Sequence, residues 1–90
     1  AALLPDGVQV AVFRTVSDEY YALSNVDPFS GAAVLARGIV GDIDGVPVVA
    51  SPVYKQHFDL RTGRSIEDKT VVVQAFPVRV LAGRVTVGRA

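Results

Sequence analysis

GIVGDIDGVPVVASP, residues 38–52, sets two apolar runs on either side of Asp44-Gly45. An Asp-Gly pair between β-branched runs is a strong hairpin signal. A primed two-residue turn needs positive φ at its central positions, and Gly45 takes it without a Cβ clash. The stretch predicts strands over 38–43 and 46–51 and makes this an antiparallel β fold. Asp42 and Asp44 at the tip read as turn residues whose short carboxylates bond nearby amides. A calcium loop would need more oxygen ligands at a denser spacing.

The pattern repeats outward from this hairpin. VQVAVFRTV (8–16) alternates with period two and is rich in β-branched residues, and EYYALSN (19–25) follows after the turn residues Ser17 and Asp18. The two runs form a second predicted hairpin, with Tyr20 or Tyr21 on its buried face. DPFSGAAV (27–34) is a loop, since Asp-Pro ends a strand, with a short helical turn expected at 32–35. In HFDLRTGR (57–64), Phe58 and Leu60 share a face and Arg61-Thr62-Gly63 closes a turn; SIEDKT (65–70) is polar and irregular. The tail predicts strands over 73–81 and 84–88, joined at Ala82-Gly83, with Pro77 marking an edge or bulge. About seven short strands with almost no helical periodicity give an all-β sandwich or barrel of short antiparallel strands. It is read as a single domain over residues 1–90, with an ordered core over about 8–88.

Composition narrows the function classes. Half of the 90 residues are hydrophobic and a fifth charged, which fits a globular domain rather than a disordered chain. Nine Lys and Arg balance nine Asp and Glu, so no field draws the chain to nucleic acid or to an anionic membrane. The absence of Cys excludes disulfides, thiolate nucleophiles and thiolate-bound clusters. No apolar run reaches the roughly 20 residues that span a bilayer, and AALLPDGVQV lacks the basic and apolar regions of a signal peptide. A cytoplasmic location is the expectation.

Few residues carry chemistry. His57 is the only histidine and has no Ser or Cys at a spacing that would make it a general base; a loop-packing His bonded to backbone is the simpler reading. Lys55, Arg61 and Arg64 form a mildly basic patch suited to an acidic surface or to solvent. Glycines 38, 41, 45 and 63 form no phosphate-cradling motif. Phe29 and the pair Val53-Tyr54 are apolar residues in proline-bounded loops, where a partner or each other would cover them.

Taken together, Asp27-Pro28-Phe29 and Ser51-Pro52-Val53-Tyr54, the latter followed by Phe58-Asp59-Leu60 and Thr62-Gly63, resemble the two cluster-binding loops of Rieske ferredoxins. Those loops read Cys-Pro-His and Cys-Pro-x-His-Gly. The resemblance implies a Rieske-like, iron-sulfur-protein-like fold with two proline loops, and places Asp27, Phe29, Ser51 and Tyr54 at the four ligand positions. A Rieske [2Fe–2S] centre needs two thiolates and two imidazoles. None of the four residues supplies either, and His57 lies three residues past the ligand position, so no cluster or other metal is expected.

NVDPFSGAAVLARGIVGD (25–42) with VPVVASPVYKQHFDLRTG (46–63) is similar to the small subunit of assimilatory NAD(P)H-dependent nitrite reductase. That resemblance implies a non-catalytic, cytoplasmic subunit with no cofactor of its own. It would dock on a large catalytic subunit that carries FAD, a [4Fe–4S] cluster and siroheme and reduces nitrite to ammonia in nitrate assimilation. The docking candidates are Phe29, Val53, Tyr54, Lys55, His57 and Arg61. The alternatives are a Rieske-type electron carrier, or a free-standing module binding a protein, or an anion near Lys55, His57 and Arg61.

Overall fold

The computed structural model describes residues 2–3, 7–53 and 55–88. The strands, in chain order, are β1 (Ala2–Leu3), β2 (Gln9–Arg14), β3 (Tyr20–Ser24), β4 (Ile39–Ile43), β5 (Val46–Ala50), β6 (His57–Asp59), β7 (Ala75–Phe76), β8 (Val78–Leu81) and β9 (Arg84–Val87). Among the described residues they make three antiparallel sheets, ordered β1-β2-β3-β7, β4-β5-β6 and β8-β9. The expected all-β architecture is present. The short helical element is a 3-10 turn at Leu35–Arg37, slightly later than the sequence suggested.

Alternation along the two long strands places the first sheet in the middle. Ala11 and Phe13 of β2 and Leu23 of β3 face one way, into a cluster with Leu35, Val49, Phe58, Leu60 and Val73 that joins this sheet to β4-β5-β6. Val10 and Ala22 face the other way and pack with Phe76, Val78 and Val87, which brings in the β8-β9 hairpin. Ala22 stands opposite Phe76, and Leu23 opposite Ala75, so each residue of the two-residue strand β7 serves a different core. Tyr21, opposite Phe13, is half-buried and packs against the first of these clusters, as expected of one of the two tyrosines; the fully covered residues of β3 are Ala22 and Leu23.

Three turns follow their residue chemistry. Asp44 and Gly45 have φ of 51° and 83°, and Ala82 and Gly83 have φ of 50° and 79°, as primed two-residue turns require. The carboxylate of Asp42 accepts the Gly45 N–H at 3.3 Å, the turn role expected of that acidic pair. At the first hairpin Asp18 takes φ of 60°, and the Thr15 hydroxyl accepts the Glu19 N–H at 3.1 Å.

The tail departs from expectation. Residues 73–81 are not one strand: Pro77 separates β7, which pairs with β3, from β8, which pairs with β9. Pro77 has no N–H to continue a ladder, and its fixed φ lets the chain leave one sheet for another. Its carbonyl still accepts the Gly88 N–H at 2.9 Å.

Two glycines hold layers close together. A Cβ on Gly38 would lie 2.5 Å from the Ala50 carbonyl oxygen, and one on Gly63, where φ is 79°, would lie 1.9 Å from that of Val73. The Gly63 carbonyl accepts the Val73 N–H at 2.7 Å, so the turn and the returning chain cannot move apart without losing that bond. Gly63→Ala is therefore expected to cost at least about 2 kcal/mol in a denaturant titration. Gly41→Ala, with nothing within 4 Å of the new methyl, is expected to stay within about 0.5 kcal/mol of wild type.

Candidate functional site

The two proline loops meet. The first runs from β3 to β4 and the second from β5 to β6, and the pairing of Ala50 with Ile39 sets the start of the second beside the end of the first. Asp27 and Ser51 are both buried, at 0% and 1% exposure, and the Ser51 hydroxyl donates a hydrogen bond to Asp27 Oδ2. The other carboxylate oxygen, Oδ1, accepts the Phe29 N–H at 2.8 Å. The Asp27 backbone closes the loop from both sides: its N–H donates to Ala32 at 2.8 Å and its carbonyl accepts from Gly31 at 2.7 Å. Asp is suited to this position because one short side chain satisfies an Asx-type turn and still reaches across to the other loop.

Ser51 does the same for the second loop. Its Oγ accepts the Val53 N–H at 3.3 Å, and its carbonyl accepts the Lys55 N–H at 3.1 Å, which draws Lys55 to a φ of 64°. Asn25 supports the first loop from behind: Oδ1 accepts the Ala36 N–H at 2.7 Å, and Nδ2 donates to the Ala33 carbonyl and to Gln9 Oε1, both at 3.2 Å.

The docking candidates occupy unequal positions. Phe29 is half-buried, its ring tilted 45° against Phe58 with centroids 6.0 Å apart, so it is anchored to the main core. Val53 is 43% exposed and Lys55 is exposed. Tyr54 lies outside the described residues. His57 is half-buried and its ring meets a side chain: Nδ1 lies 2.6 Å from Glu67 Oε2, while its backbone N–H donates to Glu67 Oε1 at 2.7 Å. The Arg61 guanidinium lies on Asp59, with Nε and Nη2 at 3.2 and 3.1 Å from the two carboxylate oxygens. Glu67 as the partner of His57 was not foreseen from sequence; it sits ten residues away in the segment read as irregular.

These pairings tune the acids. Burial pushes the Asp59 carboxyl up, but hydrogen bonds from the Arg61 side chain and backbone, and its charge, hold it below the usual carboxylate range. For Glu67, burial likewise pushes up, and the hydrogen bonds from His57 outweigh it and hold the carboxyl low. Among the described residues no group of three His, Asp or Glu side chains is placed to share a metal ion.

The comparisons with known proteins now bear on this site. Residues 1–88 match the family of Rieske-like [2Fe-2S] domains. The chain is 45% identical over 81 residues to the nitrite reductase (NADH) small subunit of Salmonella typhimurium, covering 89% of this chain and 75% of that one. It superposes with a TM-score of 0.96 on the crystal structure of a Mycobacterium tuberculosis protein assigned as an NADH-dependent nitrite reductase small subunit, at 50% identity over 99% of this chain and 80% of that one. This chain belongs to the nitrite reductase small-subunit family of Rieske-like domains. It is also 49% identical over 80 residues to the nitrite reductase [NAD(P)H] large subunit of Klebsiella oxytoca, covering 89% of this chain but only 8% of that protein.

A [2Fe–2S] group does not fit the loops of this small-subunit domain. Asp27 and Ser51, which the resemblance to Rieske loops would set at the two thiolate positions, are hard oxygen donors bonded to each other in a buried contact. Phe29, which the same resemblance would set at an imidazole position, offers no lone pair and lies against Phe58. With no Cys in the sequence, the soft donors that iron-sulfur clusters select are missing. The link between the loops is the hydrogen bond from Ser51 to Asp27.

Two predictions follow from this geometry. Ser51→Ala strands the buried Asp27 carboxylate and should cost about 2 kcal/mol in urea unfolding, whereas Ser17→Ala, on the exposed hairpin, should cost less than about 0.5. The second concerns acid. Because the folded-state value of Asp59 is depressed, its stabilisation is present above the unfolded carboxyl value of about 3.9 and is lost as the pH falls through the lower folded value. Stability measured from pH 6 to pH 2 should therefore fall less steeply below about pH 4 in Asp59→Asn than in wild type.

Proposed function

We propose that this domain acts as the cluster-free small subunit of a cytoplasmic nitrite reductase [NAD(P)H] complex, docking on the large catalytic subunit. The observation that carries this reading is the Asp27–Ser51 bond: the paired loops of the Rieske scaffold stay closed by protein chemistry alone, in a chain whose relatives include small subunits of nitrite reductase. Electrons from the reduced nicotinamide would pass through FAD, a [4Fe–4S] cluster and siroheme in the large subunit, where nitrite becomes ammonia. This chain would contribute binding surface and order, and no catalytic group.

Two observations support a docking role for the loops. Their backbones are fixed by internal hydrogen bonds, so ordering them on association costs little entropy. They also present apolar surface at Val26 and Val53, each 43% exposed, beside the half-buried Phe29. The relative in Klebsiella oxytoca adds weight, since there a homologous segment lies within a large-subunit chain.

An anion module at Lys55, His57 and Arg61 is disfavoured, because His57 already faces the Glu67 carboxylate and Arg61 the Asp59 carboxylate. An electron carrier is disfavoured by the donor set of the loops.

The test is co-purification with the large subunit. Val53→Asp leaves the core untouched and is expected to weaken association at least tenfold, with Phe29→Asp weaker still. Val16→Asp, fully exposed at the turn between β2 and β3, is the control and should bind as wild type does. Unchanged association in both loop variants would overturn the docking role of the loops.

A further inference from the structure

The β4 strand has one unpaired edge, and its register identifies which groups are free. Among the described residues β4 pairs with β5 on one side only. The two-residue turn at Asp44-Gly45 makes Ile43 and Val46 a hydrogen-bonded pair, and alternation then bonds Gly41 to Val48 and Ile39 to Ala50. Val40 and Asp42 fall at the intervening positions, opposite Val49 and Pro47. The other side of β5 confirms this phase, since Pro47 turns its carbonyl away from β4 to accept the Leu60 N–H at 2.9 Å. The N–H and C=O groups of Val40 and Asp42 therefore point outward, and they make no backbone hydrogen bond among the described residues.

The outward face beside this edge is Ile39, Gly41 and Ile43. Ile39 is 74% exposed, Ile43 is half-buried, and Gly41 leaves open space where a side chain would stand. Edge strands are usually guarded by lysine, proline or a bulge. β4 has none of these; its one charge, Asp42, turns its carboxylate into its own hairpin tip.

We propose that this edge accepts an extended segment of the large subunit by antiparallel β-strand addition, through the backbone groups of Val40 and Asp42. This rests on the docking reading above and names a second element of that interface, since β4 begins directly after the first proline loop. The occupant is argued from area and charge. A five-residue edge paired with a second copy of this chain would bury far less than the roughly 1,200 Å² of a stable dimer, whereas an edge continuous with the loops adds to a larger contact. The hairpin tip carries Asp42 and Asp44, neither with a cation within salt-bridge distance among the described residues. The complementary segment has apolar residues over Ile39 and Gly41 and a Lys or Arg at the end that reaches this tip.

Hydrogen exchange of the free subunit and of its complex with the large subunit tests this residue by residue. In the free subunit the amides of Val40 and Asp42 should exchange fast while those of Ile39, Gly41 and Ile43 are protected by β5; in the complex Val40 and Asp42 should slow at least tenfold. Gly41→Lys, which adds a guard without touching the fold, should weaken the complex at least tenfold. If the complex forms and those two amides stay fast, or Gly41→Lys binds normally, strand addition is wrong while loop docking stands. Failure of the wild-type chains to associate would overturn both, and a wild-type homodimer that Gly41→Lys dissociates would assign the edge to a second copy instead.

Discussion

The buried hydrogen bond from Ser51 to Asp27 joins segments 24 residues apart, and the rest of the site depends on it. Each partner already organises its own loop, so the bond couples two preformed turns rather than two free chains. Much of the ordering entropy is met locally, by Asn25 and the Asp27 turn on one side and by the Lys55-to-Ser51 closure on the other. What the cross-loop contact adds is relative position. It seats the first loop on β5, where Gly38 passes the Ala50 carbonyl too closely for any side chain, and it delivers Phe29 onto Phe58.

Much of this was legible in the sequence, and what escaped it did so for identifiable reasons. Asp44-Gly45 and Ala82-Gly83 announce their hairpins because primed turns demand positive φ from few residues. Alternation in VQVAVF reveals a strand, but it cannot say that both faces will be covered, so the second core around Val10, Ala22 and Phe76 was invisible. Pro77 marked a disturbance without disclosing its nature; a proline at a bulge and a proline between two sheets look alike until the partners are known. The proline loops were recognisable as a pair, yet the bond between Asp27 and Ser51 joins side chains far apart in sequence and needed the fold to show it.

The charged residues tell a similar story. Read along the chain, His57 and Arg61 are basic groups beside Lys55 and look available for a ligand. In the fold their acids come from elsewhere or from the same turn: Glu67 folds back over the β6 strand, and Asp59 holds the Arg61 fork across both carboxylate oxygens. These pairs are partly exposed, so each contributes modestly to stability. Their larger effect is to satisfy donors that would otherwise attract an anion. The second loop is left with Lys55 and an apolar flank, which suits a protein surface better than a small ion.

A Rieske-like fold can be held together without a metal for a physical reason. A metal centre ties two loops by strong directional bonds from outside the chain, and it requires soft donors placed to about a few tenths of an ångström. A carboxylate and a hydroxyl impose the same proximity within the chain, and their remaining lone pairs are used by backbone amides, so no polar group of Asp27 or Ser51 is left wanting. The clasp is independent of iron supply and of redox state, and it leaves the loop exteriors free to vary. On a scaffold whose edge strand β4 begins where the first of those loops ends, two loops bonded to each other and the outward backbone groups of Val40 and Asp42 can be specific without holding any chemistry of their own.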